Sequence, residues 1–104
     1  MSDHVESACY EFVTRTHSLP VTLWQYVDFE KRLNSFKDWP RYLPGPTARQ
    51  LARSGFVYLG TSDRVRCFSC GVIVNRWELT DEAEKEHYRW SQECAYLRMI
   101  AGPR

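Results

Sequence analysis

Along the chain, apolar residues recur first with a helical period, then with a strand period, then with a helical one again. Val5, Ala8, Cys9, Phe12 and Val13 follow i, i+3, i+4, i+7, i+8 spacing, which predicts an amphipathic helix. Pro20 ends it. The stretch LPVTLWQYVDF is too apolar and aromatic for a solvated tail, so part of it is expected to pack on the domain or on a second copy. Disorder of residues 1–8 is the alternative. Phe29, Leu33 and Phe36 share one helical face, and Trp39-Pro40 closes that helix because proline biases its predecessor away from helix. In GPTARQLARSGF, Thr47 is placed to cap a second helix whose apolar face is Ala48, Leu51 and Ala52. Gly55 sits where a left-handed C-terminal residue is wanted.

FVYLGTSDRVRCF reads as two strands around a Gly/Ser/Asp turn, and VIVNRW as a third. Thr80 is expected to cap the helix DEAEKEHYRW, whose Asp81, Glu82 and Glu84 crowd the positive end of the helix dipole. ECAYLRMI predicts a last short helix carrying Cys94, with Leu97 and Ile100 as its apolar side. The elements predict an α+β fold, a small antiparallel sheet surrounded by short helices.

Composition narrows the function classes. One hundred and four residues suffice for one hydrophobic core, not two. Fourteen basic against thirteen acidic residues leave almost no net field, which argues against a binder of nucleic-acid backbone. No apolar run reaches the roughly 20 residues needed to cross a bilayer, and MSDHVESACYEF lacks the pattern of a secretion signal, so a cytoplasmic protein with no membrane partner is expected. In that reducing setting four cysteines point to metal or free thiols ahead of disulfides.

Cys67 and Cys70 lie two residues apart in VRCFSC, and His87 and Cys94 follow in the pattern C-x2-C-x16-H-x6-C. Three thiolates and one imidazole make a closed tetrahedral set for one structural Zn2+, leaving no position for an activated water. The plainer reading makes Cys67 and Cys70 small buried residues and His87 a surface helix residue. Cys9 is a core or free thiol, and His4 and His17 face solvent. A thiol nucleophile with His87 as its base would compete for the residues that zinc uses, and no oxyanion-hole loop is visible, so the chain reads as non-catalytic.

With the ligands placed, residues 29–98 resemble a baculovirus IAP repeat, the BIR domain of inhibitor-of-apoptosis proteins. RLNSFKDWP is similar to the family's opening helix and Trp-Pro. LARSGFVYLGTSDRVRCFSCG is similar to its second helix, strand and Asp turn, and RWELTDEAEKEHYRWSQEC to its groove Trp, acidic helix and last two ligands. CGV and HYRWSQEC resemble most the first BIR of insect and baculovirus IAP proteins. The resemblance implies a three-stranded antiparallel sheet around one zinc, with residues 1–28 as an N-terminal extension, 29–98 as the BIR domain and 99–104 as a tail. The 104 residues hold no second Cys/His set of the kind a ubiquitin-ligase RING needs.

The resemblance also implies capture of the freshly exposed N-terminus of a caspase or an IAP antagonist, beginning with Ala or Ser. Such a peptide would add to the strand at Ile73, Val74, Asn75 and Arg76, its small first side chain beside Trp77. Its amine would meet Asp81, with Glu82 and Glu86 nearby, and its third residue would pack on Trp90. The sequence departs from the family at Ile73, where peptide-binding members often carry Gly, and at Arg76, where the best-known ones carry an acid. Arg76 removes negative potential near the amine and is expected to weaken binding or favour an acidic peptide side chain. The alternative is a groove-inactive BIR that binds a signalling adaptor or forms a homodimer, with residues 5–27 as a dimer surface or a cover on the groove.

Overall fold

The computed structural model of the protein describes residues 25–101. The helix expected over residues 5–13, Cys9, His4 and His17 lie outside them. A 3-10 turn, Gln25–Val27, leads into helices α1 (Phe29–Asn34) and α2 (Ala48–Arg53), then strands β1 (Phe56–Tyr58), β2 (Val65–Cys67) and β3 (Ile73–Val74), and finally helices α3 (Ala83–Trp90) and α4 (Ala95–Ala101). None of these helices is long and apolar enough to cross a membrane.

The strands form one antiparallel sheet in the order β1-β2-β3, so β3 is an edge. Residues directly opposite one another share a face of a sheet. Phe56 opposes Cys67 and Val65 opposes both Tyr58 and Val74, which puts the fully buried Phe56, Val65, Cys67 and Val74 on the core side. Leu51, Ala52 and Leu97 from the helices, and Phe36 from the turn after α1, close over that side. Trp39 packs edge-on against Phe36 and Tyr58, at 5.4 and 5.0 Å between ring centroids, and so fixes the exit of α1 beside β1.

The caps explain where two helices start and stop. Thr47 accepts the Gln50 N–H while Gln50 Oε1 accepts the Thr47 N–H, a reciprocal capping box that starts α2. Gly55, at φ 104°, ends it: a Cβ there would stand 2.9 Å from the Tyr96 ring. Thr80 does not start α3. Asp81 Oδ2 instead accepts the Glu78 N–H at 2.7 Å and the Asp81 N–H returns to the Glu78 carbonyl, so a turn over residues 78–81 delays the helix to Ala83. Cys94 likewise stands just before α4, its carbonyl accepting the Arg98 N–H. Leu97 is buried, but Ile100 is 41% exposed, because only one turn of this short helix reaches the core.

Arg32 is 2% exposed and has no carboxylate partner among the described residues. Its Nε donates to the Ala52 carbonyl at 2.7 Å, and one terminal nitrogen donates to the Tyr26 and Val27 carbonyls at 2.8 and 3.0 Å. The other donates to Tyr96 Oη at 3.0 Å. The guanidinium lies 4.9 and 5.0 Å from the ring centroids of Phe68 and Tyr96, so its planar faces meet π-clouds and its edge meets oxygens. One side chain thereby ties the 3-10 turn, the end of α2 and α4 together. Arg32→Lys keeps the charge but not the fork and leaves buried carbonyls without donors. It is expected to destabilise the zinc-loaded protein by about 3 kcal/mol in chemical denaturation, and a loss below about 1 kcal/mol would contradict this account.

Candidate functional site

The two cysteines of VRCFSC sit on a turn built around the first sulfur. Gly71 N–H donates to the Cys67 carbonyl and Cys67 N–H to the Val72 carbonyl, both at 3.0 Å, which folds residues 68–71 back on the strand. Ser69 and Cys70 N–H then point at Cys67 Sγ from 3.3 and 3.4 Å. Backbone donors aimed at sulfur favour a thiolate, the form that binds metal.

His87 on α3 and Cys94 before α4 complete the set. The four ligand atoms of Cys67, Cys70, His87 and Cys94 all lie within 4.8 Å of one another, and all but Cys70 are fully buried. Cys67 Sγ stands 3.8 Å from Cys94 Sγ, and Cys70 Sγ 3.5 Å from His87 Nε2. Zinc bonds of about 2.3 Å to sulfur and 2.1 Å to nitrogen give tetrahedral edges of about 3.8 and 3.6 Å. A disulfide would need about 2.05 Å. The donor set thus fits one zinc ion.

The imidazole is aimed by α2. His87 Nδ1 donates to the Ser54 carbonyl at 2.9 Å, with Ser54 Oγ at 3.1 Å, which turns Nε2 toward the sulfurs. Phe56 covers the ring, 4.6 Å between centroids. Such an outer partner fixes both tautomer and orientation of a metal-binding histidine. The sequence reading did not single out Ser54, because its contribution comes from a backbone carbonyl 33 residues away.

The titratable groups respond to this crowding. Burial pushes the Cys67 thiol well up, and its hydrogen-bonded neighbours Cys70 and Cys94 push it further. Hydrogen bonds from Cys67 and Cys70 pull Cys94 far down against burial, with His87 helping. Burial lowers His87, but hydrogen bonds and charge from Cys70 and Cys94 outweigh it and hold the imidazole up at about 9. A metal-free site at neutral pH therefore keeps protons on His87 and Cys67 that zinc must expel.

The residues expected to form a groove gather at the C-terminal end of β3. Ile73 and Val74 are buried and Asn75 is half-buried. Arg76, exposed, has a left-handed φ of 59°, which breaks the strand alternation and turns Trp77 into the core, edge-on to Phe56 at 5.9 Å. Asp63 holds this reversal in place: its two carboxylate oxygens accept the N–H groups of Arg76 and Trp77 at 3.0 and 2.9 Å. Gly45 packs behind it, at φ 96°, where a Cβ would stand 2.9 Å from the Glu78 carbonyl.

Asp81 is half-buried with one oxygen engaged in the Glu78 turn. Glu82 pairs at the surface with Lys85, at 3.4 Å. Glu86 stands 3.8 Å from Arg89, whose guanidinium lies 5.1 Å from the ring centroid of the half-buried Trp90. Asp63 is the positioning residue that sequence reasoning left as an ordinary turn acid.

Two outcomes test the metal centre. Cys94→Ala is expected to lose most of the stability that zinc confers, because the binding energy of a structural site is also folding energy. Melting unchanged by a chelator, with no zinc found by elemental analysis, would refute the site. Zinc binding at neutral pH is expected to release at least the His87 and Cys67 protons, so affinity falls on acidification by about a hundredfold or more per pH unit. Calorimetry in buffers of different ionisation enthalpy counts them, and release of fewer than two protons would contradict the assignment.

Comparison with known proteins follows the same residues. A family model for BIR, the Inhibitor of Apoptosis domain, matches residues 32–98. The chain is 43% identical over 79 residues to mouse Baculoviral IAP repeat-containing protein 1b, covering 76% of this chain and 6% of that protein. It is 46% identical over 68 residues to Baculoviral IAP repeat-containing protein 7-B of Xenopus laevis, 65% of this chain and 20% of that one. It thus spans only a small part of the relatives it matches. Among solved structures it is similar to Drosophila DIAP1 BIR1 bound to a Grim peptide, with a TM-score of 0.63 and 44% identity over 68% of this chain and 71% of that one. It is also similar to the autoinhibited dIAP1-BIR1 domain, at 0.64 and 40% over 77% of each. With its Cys/Cys/His/Cys site, its three-stranded sheet and a family match over most of the chain, this protein belongs to the BIR family of inhibitor-of-apoptosis domains.

Proposed function

We propose that this BIR domain acts without catalysis in the cytoplasm, capturing N-terminal peptides that begin with Ala or Ser, as exposed on caspases or IAP antagonists. The observation that carries the reading is the edge of β3. Cys67 N–H bonds the Val72 carbonyl and Val65 opposes Val74, so the backbone groups of Val72 and Val74 are spent on β2. In an antiparallel ladder those of Ile73 and Asn75 are then directed outward, where an extended peptide adds as a fourth strand. A peptide amine at Asp81 sets a small first side chain by Trp77, with the third residue directed to Trp90. Glu82 and Glu86 add negative potential at the amine end. The bound Grim peptide of DIAP1 BIR1 supports this placement.

The competing reading is a BIR that works through its outer faces, by binding an adaptor or a second copy. It is favoured by Arg89 lying against Trp90 and by the exposed Tyr88 and Met99 on α3 and α4. Fluorescence polarisation of the zinc-loaded protein with a free-amine Ala-Val-Pro-Ile peptide, its acetylated form and a Met-Val-Pro-Ile control separates the two. Saturable binding of the free Ala peptide alone is expected. Asp81→Asn keeps an acceptor for the Glu78 N–H while removing the charge, and is expected to weaken binding about tenfold or more with zinc unchanged. Absence of binding up to about 1 mM, an interaction near 4 kcal/mol, would move the function to the outer faces.

A further inference from the structure

The groove proposed above also has a charge preference, which rests on that reading. Leu59 N–H bonds the Arg64 carbonyl at 3.0 Å, continuing the β1–β2 pairing one residue beyond the strands. On the β2–β3 side Val65 opposes Val74 and Arg66 opposes Ile73, and the same register sets Arg64 across from Asn75. Opposed side chains share a face, so one face of the sheet carries Val57, Arg64, Arg66, Ile73 and Asn75, and the other Phe56, Val65, Cys67 and Val74. Arg64 and Arg66 are both half-buried there.

A peptide with its amine at Asp81 runs antiparallel to β3. Its first and third side chains go to the Trp77 and Trp90 side. The second residue faces Asn75 and the fourth faces Ile73, both on the arginine face. The second side chain thus lies in one row with Asn75 and Arg64, with Arg66 on the diagonal. Two strand spacings, about 10 Å, separate it from the Arg64 backbone, a gap that an arginine and a carboxylate arm close between them. The row contains a polar Asn75, whereas the fourth position has the apolar Ile73 interposed. Asp63, next to Arg64 in sequence, has its two oxygens committed to the Arg76 and Trp77 N–H groups.

We propose that the groove selects N-terminal peptides whose second residue is acidic, with Arg64 and Arg66 as the residues that determine this specificity. The test uses zinc-loaded protein and free-amine Ala-Glu-Pro-Ile, Ala-Gln-Pro-Ile, Ala-Lys-Pro-Ile and Ala-Gln-Pro-Glu peptides in polarisation titrations. The Glu second residue is expected to bind about threefold to tenfold tighter than Gln, the range of exposed charge pairs. Lys is expected to bind weaker than Gln, and the gaps to shrink as salt rises. In a protein carrying Arg64→Gln and Arg66→Gln the Glu-to-Gln affinity ratio falls to about one; a general loss of affinity cancels in that ratio. Equal binding of all four peptides by the wild type, or a gain only from Glu at the fourth position, overturns the preference and leaves the groove standing. If no free-amine peptide binds while zinc holds at one per chain, the groove reading itself falls and the preference with it.

Discussion

The fold depends on one convergence: a turn of the sheet and two C-terminal segments brought to a single point by Cys67, Cys70, His87 and Cys94. The described core is small, and its larger members, Phe36, Phe56, Trp77 and Leu97, come from widely separated stretches of the chain. Strands of two or three residues and helices of six to eight are too short to be stable alone. A metal that takes ligands from β2, its following turn, α3 and the entry to α4 supplies the tie that such a chain lacks. The Ser54 carbonyl extends that tie to α2 through His87.

Arg32 forms a second centre at the C-terminal end of α2. Its donors reach carbonyls of the 3-10 turn and of α2, and through Tyr96 Oη it touches the chain again at α4, where that hydroxyl also donates to the Arg53 carbonyl. His87 and this guanidinium thus both hold the C-terminal end of α2. Gly55, where a Cβ would meet the Tyr96 ring at 2.9 Å and Cys67 Sγ at 3.5 Å, adjoins both centres.

Much of this was legible in the sequence. The ligand set could be read because two sulfurs share one loop and a helix must carry the histidine back, and the sheet because its strands are separated by strong turn signals. Thr47 and Gly55 were found by local cap chemistry and stand as expected. Thr80 failed because a neighbouring acid closed a turn first, and Ile100 because a periodic apolar pattern does not say how many turns meet the core. Arg32, Ser54 and Asp63 were missed for one physical reason. Each works through a backbone group paired with a side chain 5 to 33 residues away, Arg32 and Asp63 on distant backbone and Ser54 through its own carbonyl, and a backbone carbonyl or N–H leaves no mark in the identity of the residue that carries it.

The turn around Cys67 also bears on how the domain assembles. Its hydrogen bonds, from Ser69, Cys70 and Gly71 to the Cys67 sulfur and carbonyl, are all local. Closing a loop of a few residues costs less entropy than closing one that reaches to His87 or Cys94. The pair Cys67 and Cys70 is therefore the part of the centre with the smallest loop-closure cost, and an ion held by these two alone would gain its third and fourth ligands only as α3 and α4 dock. Completion of the metal site and docking of the C-terminal helices would then be one event, since neither His87 nor Cys94 reaches the pair until its helix is in place.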